Sequence, residues 1–353
     1  MLDMANVRCQ RLLSWVLAGL LVLATTTLGD KAVAQPGPAG AVKAAGQLVQ
    51  ASASSGPIAA PVAKGVAKSP SAAAPSPGAQ GIAGWAAPLV AMLAAGLLAG
   101  FAAGIFGIGG GFVVVPALFI VLPLLGGDHA QYAHIAIGTS AATIIVTSIR
   151  SVRSHAKRGA VDFEVLKSWA PWIVLGDGVG VLLAGHVDGK VLTLIFAGGV
   201  MLMSINFLVP KLGDRVLTDH MPSGAMRVGI AGGLGAFSSL LGIGGGTIAI
   251  MVMTLCGRSI HKAVATASGI GTLIAIPSAI GFAIIGFKEA GLPWGSLGYV
   301  NLPAAIAVAS MSVLTAPLGV AAAHSLPSPV LKRSFGLYLI FISALMFKNA
   351  MKI

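Results

Sequence analysis

The stretch GIFGIGGGFVVVPAL, Gly104–Leu118, places four glycines around one isoleucine inside a strongly apolar run. The same five letters, GIGGG, return at Gly242–Gly246. Each glycine weakens a helix by about 1 kcal/mol relative to alanine. Two such clusters, in sequence that otherwise suits membrane helices, therefore predict two places where a helix breaks.

The composition is that of a polytopic membrane protein. Of the 353 residues, 56% are hydrophobic and 9% are charged, whereas a soluble domain carries about 25% charged residues. The net charge of +12 suits nucleic acid, but the basic residues lie in short loops between apolar runs. The positive-inside rule explains them, and no nucleic-acid partner is expected. The two cysteines, Cys9 and Cys256, allow neither a disulfide framework nor a metal site.

The N-terminal region has two interpretations. Residues 1–34 form a signal peptide or a first transmembrane helix, because Arg8 and Arg11 precede an apolar segment. The triplet AVA at Ala32–Ala34 suits signal peptidase, so we favour cleavage. Residues 35–83 are rich in Ala, Pro and Ser without apolar periodicity, which predicts a disordered linker.

The remainder of the chain divides into ten apolar segments. Most approach the 20 residues or so that a membrane-spanning helix needs, but the segment directly after each GIGGG is shorter. The predicted segments are 84–106, 112–125, 134–150, 168–186, 191–209, 226–245, 247–257, 263–285, 297–321 and 331–347. This pattern predicts an all-α polytopic fold in two helical repeats, 84–209 and 226–349, each with a helix broken at GIGGG.

Three pairs of blocks support an internal repeat. Besides the two GIGGG stretches, HIAIGTS from His134 matches HKAVATA from His261, and VLTLIFAG from Val191 matches VLKRSFGL from Val330. The blocks keep their order, as in a duplication. Five crossing segments in each repeat would make the repeats inverted. If the short segments 112–125 and 247–257 re-enter instead, the repeats are parallel; we favour the inverted arrangement.

The basic residues predict an orientation. Counting every segment as a crossing places one large group in the cytoplasm: Arg150, Arg153, Lys157, Arg158, Lys167, Lys211, Arg215, Arg227, Arg258, Lys262, Lys332 and Arg333. The smaller group is Lys190, Lys288, Lys348 and Lys352. This bias predicts a multi-pass protein of the bacterial inner membrane with a periplasmic mature N-terminus.

The glycine stretches are candidates for an anion site. Where a helix breaks inside a membrane, freed N–H groups must be satisfied or line a cavity. The start of a helix favours an anion, and glycine lets a ligand approach the backbone. The predicted substrate-binding glycines are Gly109, Gly110, Gly111, Gly244, Gly245 and Gly246. The alternative is close helix packing by small residues, which explains a row of glycines less well.

The sequence resembles a known family at these residues. The two GIGGG stretches, the block AIGTSAAT (Ala136–Thr143), its partner AVATASGI (Ala263–Ile270) and the ending VLKRSFGLYLIF are similar to the sulfite exporter TauE/SafE family. The resemblance covers about residues 85–350 and implies a secondary transporter of sulfur-containing anions such as sulfite, sulfonates or thiosulfate. Residues 1–80 lie outside the family pattern.

Neutral hydroxyls near the breaks are further candidates for anion binding. Thr139, Ser140 and Thr143 follow the first break, and Thr266 and Ser268 follow the second. A hydroxyl donates a hydrogen bond without a fixed charge, which permits release of the anion. Hydrogen bonds between helices are the alternative role for these side chains.

Three ionisable residues are candidates for proton coupling. Asp177 is the one acidic residue in the middle of an apolar segment, where carboxylates are costly and usually functional. The family usually has a small residue there, so this candidate is peculiar to the present chain. His134 and His261 begin equivalent segments, and histidine titrates near neutral pH. A capping role at the membrane interface is the alternative for both histidines.

The predicted function is secondary transport of a small sulfur-containing anion, driven by the proton gradient or the membrane potential. Membrane lipid is the other expected partner. The sequence contains no nucleotide motif, metal cluster or nucleophile–base set, so neither an enzyme nor a cofactor is expected. The alternatives are an anion channel and a membrane scaffold or biogenesis partner in sulfur metabolism.

Overall fold

The computed structural model describes residues 82–107, 109–208, 216 and 218–351. The predicted signal peptide, the linker up to residue 81, and Lys211 and Arg215 lie outside these residues. The described chain forms ten α-helices: α1 (Ile82–Phe106), α2 (Gly111–Leu125), α3 (Tyr132–Ala156), α4 (Phe163–Ala184), α5 (Gly189–Leu208), α6 (Gly224–Leu241), α7 (Gly246–Leu255), α8 (Ile260–Ile285), α9 (Leu302–Ser325) and α10 (Ser328–Ala350).

Six of these helices are long and apolar enough to cross a membrane: α1, α3, α4, α6, α8 and α9. A bilayer core offers no water to the backbone, so helices that satisfy their own N–H and C=O groups are the natural solution for such sequence. Polar side chains cap the N-termini of several helices. The side chains of Asp162, Ser259 and Asn301 accept hydrogen bonds from the first turns of α4, α8 and α9. The all-α polytopic membrane fold predicted above is confirmed.

Two helices are short because glycine stretches precede them. Helix α1 ends at Phe106 and α2 begins at Gly111, while α6 ends at Leu241 and α7 begins at Gly246. Helix α2 has 15 residues and α7 has 10, which at 1.5 Å per residue gives lengths of about 22 and 15 Å. Both lengths are below the roughly 30 Å of a bilayer core.

The helices of the two halves pack reciprocally. Helix α1 packs on α9 and α6 packs on α4, while α3 pairs with α8 and α5 pairs with α10. Numbering each half from one to five, the first helix of each half therefore contacts the fourth helix of the other. A duplication with a two-fold axis between the halves, whether inverted or parallel, produces this pattern. The duplication itself stays a prediction.

Glycine seams join the reciprocal pairs. On α1, a Cβ at Gly96, Gly100 or Gly104 would meet backbone carbonyls of α9. At the other seam, a Cβ at Gly176 or Gly180 of α4 would meet carbonyls of α6. Glycines four residues apart let two helix backbones touch in this way. The seams hold the outer helices against each other, and α3 and α8 lie buried between them.

A small hairpin precedes α9. Strands β1 (Ser296–Leu297) and β2 (Val300–Asn301) pair antiparallel, with Ser296 opposite Asn301. The sequence analysis began the ninth segment at residue 297, and that start is wrong: the helix begins at Leu302. The physical reason is the cap at Asn301, whose side chain accepts the N–H of Ala304, followed by a proline at the first helical turn.

The segments rich in Arg and Lys lie together at one end of the molecule. Arg258, before α8, is 3.7 Å from Asp162, before α4. At the same end, His155 near the end of α3 is 3.2 Å from His324 near the end of α9. Lys190 and Lys288 belong to the opposite end, where α5 begins and α8 ends. The predicted cytoplasmic face is therefore one continuous end of the fold.

Candidate functional site

The two glycine stretches touch each other in the interior. A Cβ on Gly111, the first residue of α2, would lie 2.5 Å from the carbonyl oxygen of Gly242 and 2.7 Å from Cα of Ile243. All six glycines predicted to bind substrate are buried: Gly109, Gly110, Gly111, Gly244, Gly245 and Gly246. The fold thus brings together the two stretches that the sequence places in different halves.

The backbone of both stretches is left-handed. Gly109 and Gly110 have φ of 71° and 85°, and Gly244 and Gly245 have φ of 67° and 68°. Side-chain-bearing residues rarely adopt these angles. Among the residues that the structure describes, no hydrogen bond from the N–H groups of these four glycines is found. Each stretch therefore presents free N–H groups directly before a helix start.

The same glycines are closely packed. A Cβ on Gly110 would lie 2.7 Å from the carbonyl oxygen of Ala99, and one on Gly245 would lie 2.8 Å from Oγ of Ser238. A Cβ on Gly109 would lie 2.6 Å from Cγ2 of Ile144. Backbone conformation and packing therefore both require glycine here, and a substitution at these positions acts through both.

Helix α3 connects the two stretches through its hydroxyls. Ser140 Oγ donates to the carbonyl oxygen of Gly242 at 2.8 Å, and Thr147 Oγ1 donates to that of Gly109 at 2.8 Å. Both side chains are buried. A single helix thus satisfies one carbonyl of each glycine stretch and fixes their distance.

Ser148 is a buried hydroxyl for which the structure offers no partner. Its side chain has 0% exposure and its Oγ makes no hydrogen bond among the described residues. That oxygen is 2.8 Å from the place where a Cβ on Gly109 or on Gly271 would stand. An unsatisfied buried polar group costs about 1–3 kcal/mol, so this one calls for an explanation.

Sequence reasoning missed Thr147 and Ser148. For Thr147, the signal that could have found it is a polar stripe on α3, formed by Thr143, Thr147, Ser151 and His155 at four-residue spacing. Ser148 is not part of this series. Residues four apart share one helix face, and all four side chains are buried. A buried polar face inside an apolar helix points to a polar lining.

The other predicted hydroxyls lie at helix starts or between helices. Thr139 Oγ1 accepts the N–H of Asn301 at 2.9 Å, and Thr266 Oγ1 accepts that of Asp162 at 2.9 Å. These bonds hold the starts of α9 and α4. Ser268 Oγ lies 3.1 Å from Ser151 Oγ, beside the polar stripe. Thr143 Oγ1 donates to the carbonyl oxygen of Ser140 within α3. Of the five hydroxyls named from the sequence, Ser140 is the one with a hydrogen bond to a glycine stretch among the described residues.

Asp177 is fully buried between helices. Its Oδ1 accepts from Ser278 Oγ of α8 at 2.5 Å, and its Oδ2 makes no hydrogen bond among the described residues. The backbone beside it packs against Gly235 of α6. The carboxyl group is thus held by one hydroxyl of α8 beside the α4–α6 seam.

His134 lies at the end opposite the basic segments. Its Nε2 is 3.1 Å from the carbonyl oxygen of Ala184, and its ring stacks on Tyr299 with centroids 4.8 Å apart. Both rings line a cavity of about 320 Å³ that also contains Gln131 and Lys190. Burial, followed by the charge of Glu289, raises the pKa of Tyr299 to about 12.

His261 belongs to a group of three histidines, which we call the histidine cluster: His155, His261 and His324. The ring of His261 stacks on that of His324 with centroids 5.9 Å apart. His155 is buried, and its Nδ1 is 3.2 Å from Nε2 of His324. No group of three or more His, Cys, Asp or Glu within the described part of the chain is placed to hold a metal ion.

Comparisons with known proteins agree on one family. The family model described as sulfite exporter TauE/SafE matches residues 92–346. A probable membrane transporter protein of Haemophilus influenzae is 35% identical over 248 residues, which cover 70% of this chain and 93% of that protein. A probable membrane transporter protein of Methanocaldococcus jannaschii is 27% identical, covering 61% of this chain and 79% of its own. No solved structure matches the chain.

Proposed function

The chain belongs to the sulfite exporter TauE/SafE family, and from that membership we propose that it moves a small sulfur-containing anion across the membrane. In this proposal the anion binds between the two glycine stretches. The observation that carries it is their direct contact, Gly111 against Gly242, beside the unpartnered hydroxyl of Ser148. The membrane transporter class itself follows from the family.

The chemistry of the contact suits an oxyanion. Left-handed glycines leave N–H groups free in both stretches, and the starts of α2 and α7 add the positive ends of two helix dipoles. Sulfite, thiosulfate and sulfonates present several oxygens that accept from different sides. Donors without a net charge hold such an anion less tightly than a buried arginine would, which favours release on the far side.

Ser148 supplies the side-chain donor in this proposal. Its hydroxyl has no protein partner and lies between Gly109 and Gly271. Desolvated hydrogen bonds to charged groups contribute about 1.5–3 kcal/mol. An anion at this place would therefore recover the cost of the unsatisfied hydroxyl, and Ser140 and Thr147 would act by holding the two backbones in register.

The test is uptake and counterflow in proteoliposomes with labelled sulfite, thiosulfate, sulfate and an alkylsulfonate measured side by side. We expect saturable uptake of at least one sulfur anion, accelerated by the same anion trapped inside. Gly111→Ala is the matched probe, because Gly111 has an ordinary helical φ and its new methyl group would act through contact with Gly242. Gly178→Ala, which adds its methyl to open space, is the control.

Each outcome distinguishes a function. Saturable counterflow that Gly111→Ala abolishes and Gly178→Ala retains supports the transporter with the site between the stretches. Currents that follow the potential without counterflow indicate the channel. Absence of movement of any of the four anions contradicts the proposal, and a phenotype lost on deletion of residues 35–80 while the membrane helices persist would favour the scaffold.

A further inference from the structure

The histidine cluster closes one end of the polar stripe. Within the stripe, Thr147 Oγ1 donates to the carbonyl oxygen of Gly109, and Ser151 Oγ lies 3.1 Å from Ser268 Oγ. The stripe ends at His155, one helical turn further along α3. Buried polar side chains thus lead from the glycine stretches to three imidazoles that α3, α8 and α9 bring together.

The contacts of His155 fix where its hydrogen lies. Its Nε2 is 3.3 Å from the carbonyl oxygen of Gly104, which can only accept, so this nitrogen carries the hydrogen. The Nδ1 of neutral His155 is then an acceptor, and Nε2 of His324 must donate to it across 3.2 Å. The tautomers of both rings follow from their partners.

The His155–His324 pair can bind one added proton without losing its hydrogen bonds, whereas binding a second proton is unfavourable. A first proton binds Nδ1 of His324, which faces away from His155, and leaves both hydrogen bonds in place. A second would have to bind Nδ1 of His155 and would set two N–H groups against each other at 3.2 Å. The pair therefore alternates between charges of zero and plus one.

The surroundings make that single charge dependent on an anion. The other charged or titratable groups that face the pair are Arg158, from the segment after α3, and His261 at the start of α8. Helix α1 contributes the carbonyl of Gly104. Since the described neighbours include no carboxylate, a protonated pair lacks a counter-charge until an anion arrives along the stripe.

We propose that the His155–His324 pair is the site at which anion movement is coupled to protons, an inference that rests on the proposed function. When an anion reaches the end of the polar stripe, a proton from water binds Nδ1 of His324. When the anion leaves, that proton returns to water. One proton accompanies one anion, and no other group changes its protonation.

The experiment follows anion and proton together in proteoliposomes. The substrate is an alkylsulfonate, whose charge stays constant through the neutral range, and an internal dye reports proton movement. His155→Gln and His324→Gln keep a polar amide but cannot be charged. His186→Gln is the matched control, because that imidazole is exposed at the other end, just after α4, where it bonds the carbonyl of Leu182.

We expect wild-type uptake to fall as the pH rises, by about tenfold for each further pH unit once the pair is mostly neutral. In His155→Gln and His324→Gln, the pH profile becomes flat and proton movement is lost, while anion exchange continues. His186→Gln behaves as wild type. Wild-type pH profiles in both cluster variants would overturn the proposal, as would a flat profile in Asp177→Asn with the cluster variants unchanged.

A second measurement keeps this inference separable from the proposed function. In protein labelled with ¹⁵N-histidine and reconstituted in lipid, NMR reports the protonated fraction of each imidazole, with the His155→Gln variant for assignment. At fixed pH, adding the sulfonate should increase the protonated fraction of the pair at least twofold. Transport without this response contradicts the coupling site, and absence of transport in wild type contradicts the proposed function. A wild-type protein with neither response contradicts both.

Discussion

The two halves of the molecule match in backbone and differ in side chains. Both glycine stretches are left-handed and both precede a short helix. Taking His134 and His261 as equivalent, however, Ser148 corresponds to Ala275, so the hydroxyl in α3 has an apolar counterpart in α8. The same holds for Ser140 and Thr147, which correspond to Ala267 and Ile274. These three hydroxyls of α3 thus have no counterparts on α8, although the second half has a buried, unpartnered hydroxyl of its own in Ser238 of α6, 2.8 Å from the place of a Cβ on Gly245.

This difference assigns separate tasks to backbone and side chains. The glycines supply the conformation and must be glycine in both halves. The hydroxyls supply donors and need to be present on one helix alone, because Ser140 and Thr147 of α3 reach the carbonyls of both stretches. Changes to the backbone should therefore act equally in either half, and changes to hydroxyls should act in the first half.

The largest effects are expected from Gly110→Ala and Gly245→Ala. Each forces a side chain into a left-handed conformation and against a neighbour, and overpacking alone costs about 1–3 kcal/mol. We expect at least tenfold weaker anion binding by calorimetry and a lower melting temperature in both variants. The double variant should deviate from additivity, because both stretches touch one ligand.

Gly180→Ala is the control for that pair. Its methyl group would collide with Ser239 and the carbonyl of Ala236 in the α4–α6 seam, at an ordinary φ. It should lower the melting temperature and leave anion affinity within about twofold of wild type. If Gly110→Ala and Gly245→Ala show that same pattern, the glycine stretches serve packing and the anion binds elsewhere.

Ser148→Ala comes next in size and should separate binding from stability. Because the hydroxyl is buried and has no partner among the described residues, its removal relieves a desolvation cost and should raise the melting temperature. Loss of a hydrogen bond to a charged ligand should weaken anion affinity about tenfold, which corresponds to about 1.4 kcal/mol.

Ser343→Ala should behave in the opposite way. Ser343 is buried in α10 and donates to the carbonyl of Ala197 at 2.8 Å, far along the chain from either glycine stretch. Its loss should reduce stability and leave affinity unchanged. If the two serine variants behave alike in calorimetry and thermal unfolding, Ser148 is not part of the anion site.

Smaller effects are expected from Ser140→Ala and Thr147→Val. Each leaves one buried glycine carbonyl, that of Gly242 or Gly109, without its side-chain donor. We expect a loss of about 1 kcal/mol in the free energy of unfolding for each. Thr143→Ala, whose hydroxyl bonds within its own helix, should cost less, and a cost equal to the other two would deny that α3 holds the stretches together.

The smallest effect on function is expected from labelling variants that test whether the halves are inverted. Lys157→Cys lies after α3, and Lys288→Cys lies after the equivalent helix α8; both positions are exposed. In intact spheroplasts, an impermeant thiol reagent should label Lys288→Cys and spare Lys157→Cys, with transport unchanged. Labelling of both positions or of neither would indicate parallel repeats.

Much of the fold could be predicted because apolar length is a local property. All ten predicted segments overlap their helices, but three boundaries are displaced by five or six residues: α3 continues past 150 to Ala156, α4 begins before 168 at Phe163, and α9 begins after 297 at Leu302. The start of α9 was missed because the hairpin before it contains the apolar residues Leu297, Tyr299 and Val300. The glycine stretches stood out for the same reason, since their cost to a helix is local.

The candidate site was less accessible, because its key features are contacts across the chain. The pairing of His155 with His324 joins residues 169 positions apart, and no spacing in the sequence marks it. Ser148 stands out because its buried hydroxyl has no hydrogen-bond partner among the described residues, and this can be seen only in three dimensions. Thr139 and Thr266 recur in both halves because they hold helix starts, so recurrence alone did not identify a donor.

The glycine seams offer a handle for engineering. At Gly100 and Gly180 two helices are in backbone contact, so a bulky side chain at either position would push the helices of the two halves apart. The two seams lie at reciprocal contacts, α1 with α9 and α4 with α6. A bulky substitution in one seam alone would bias the molecule toward a single conformation. Matched variants, one for each seam, would therefore be useful for capturing separate states by cryo-electron microscopy.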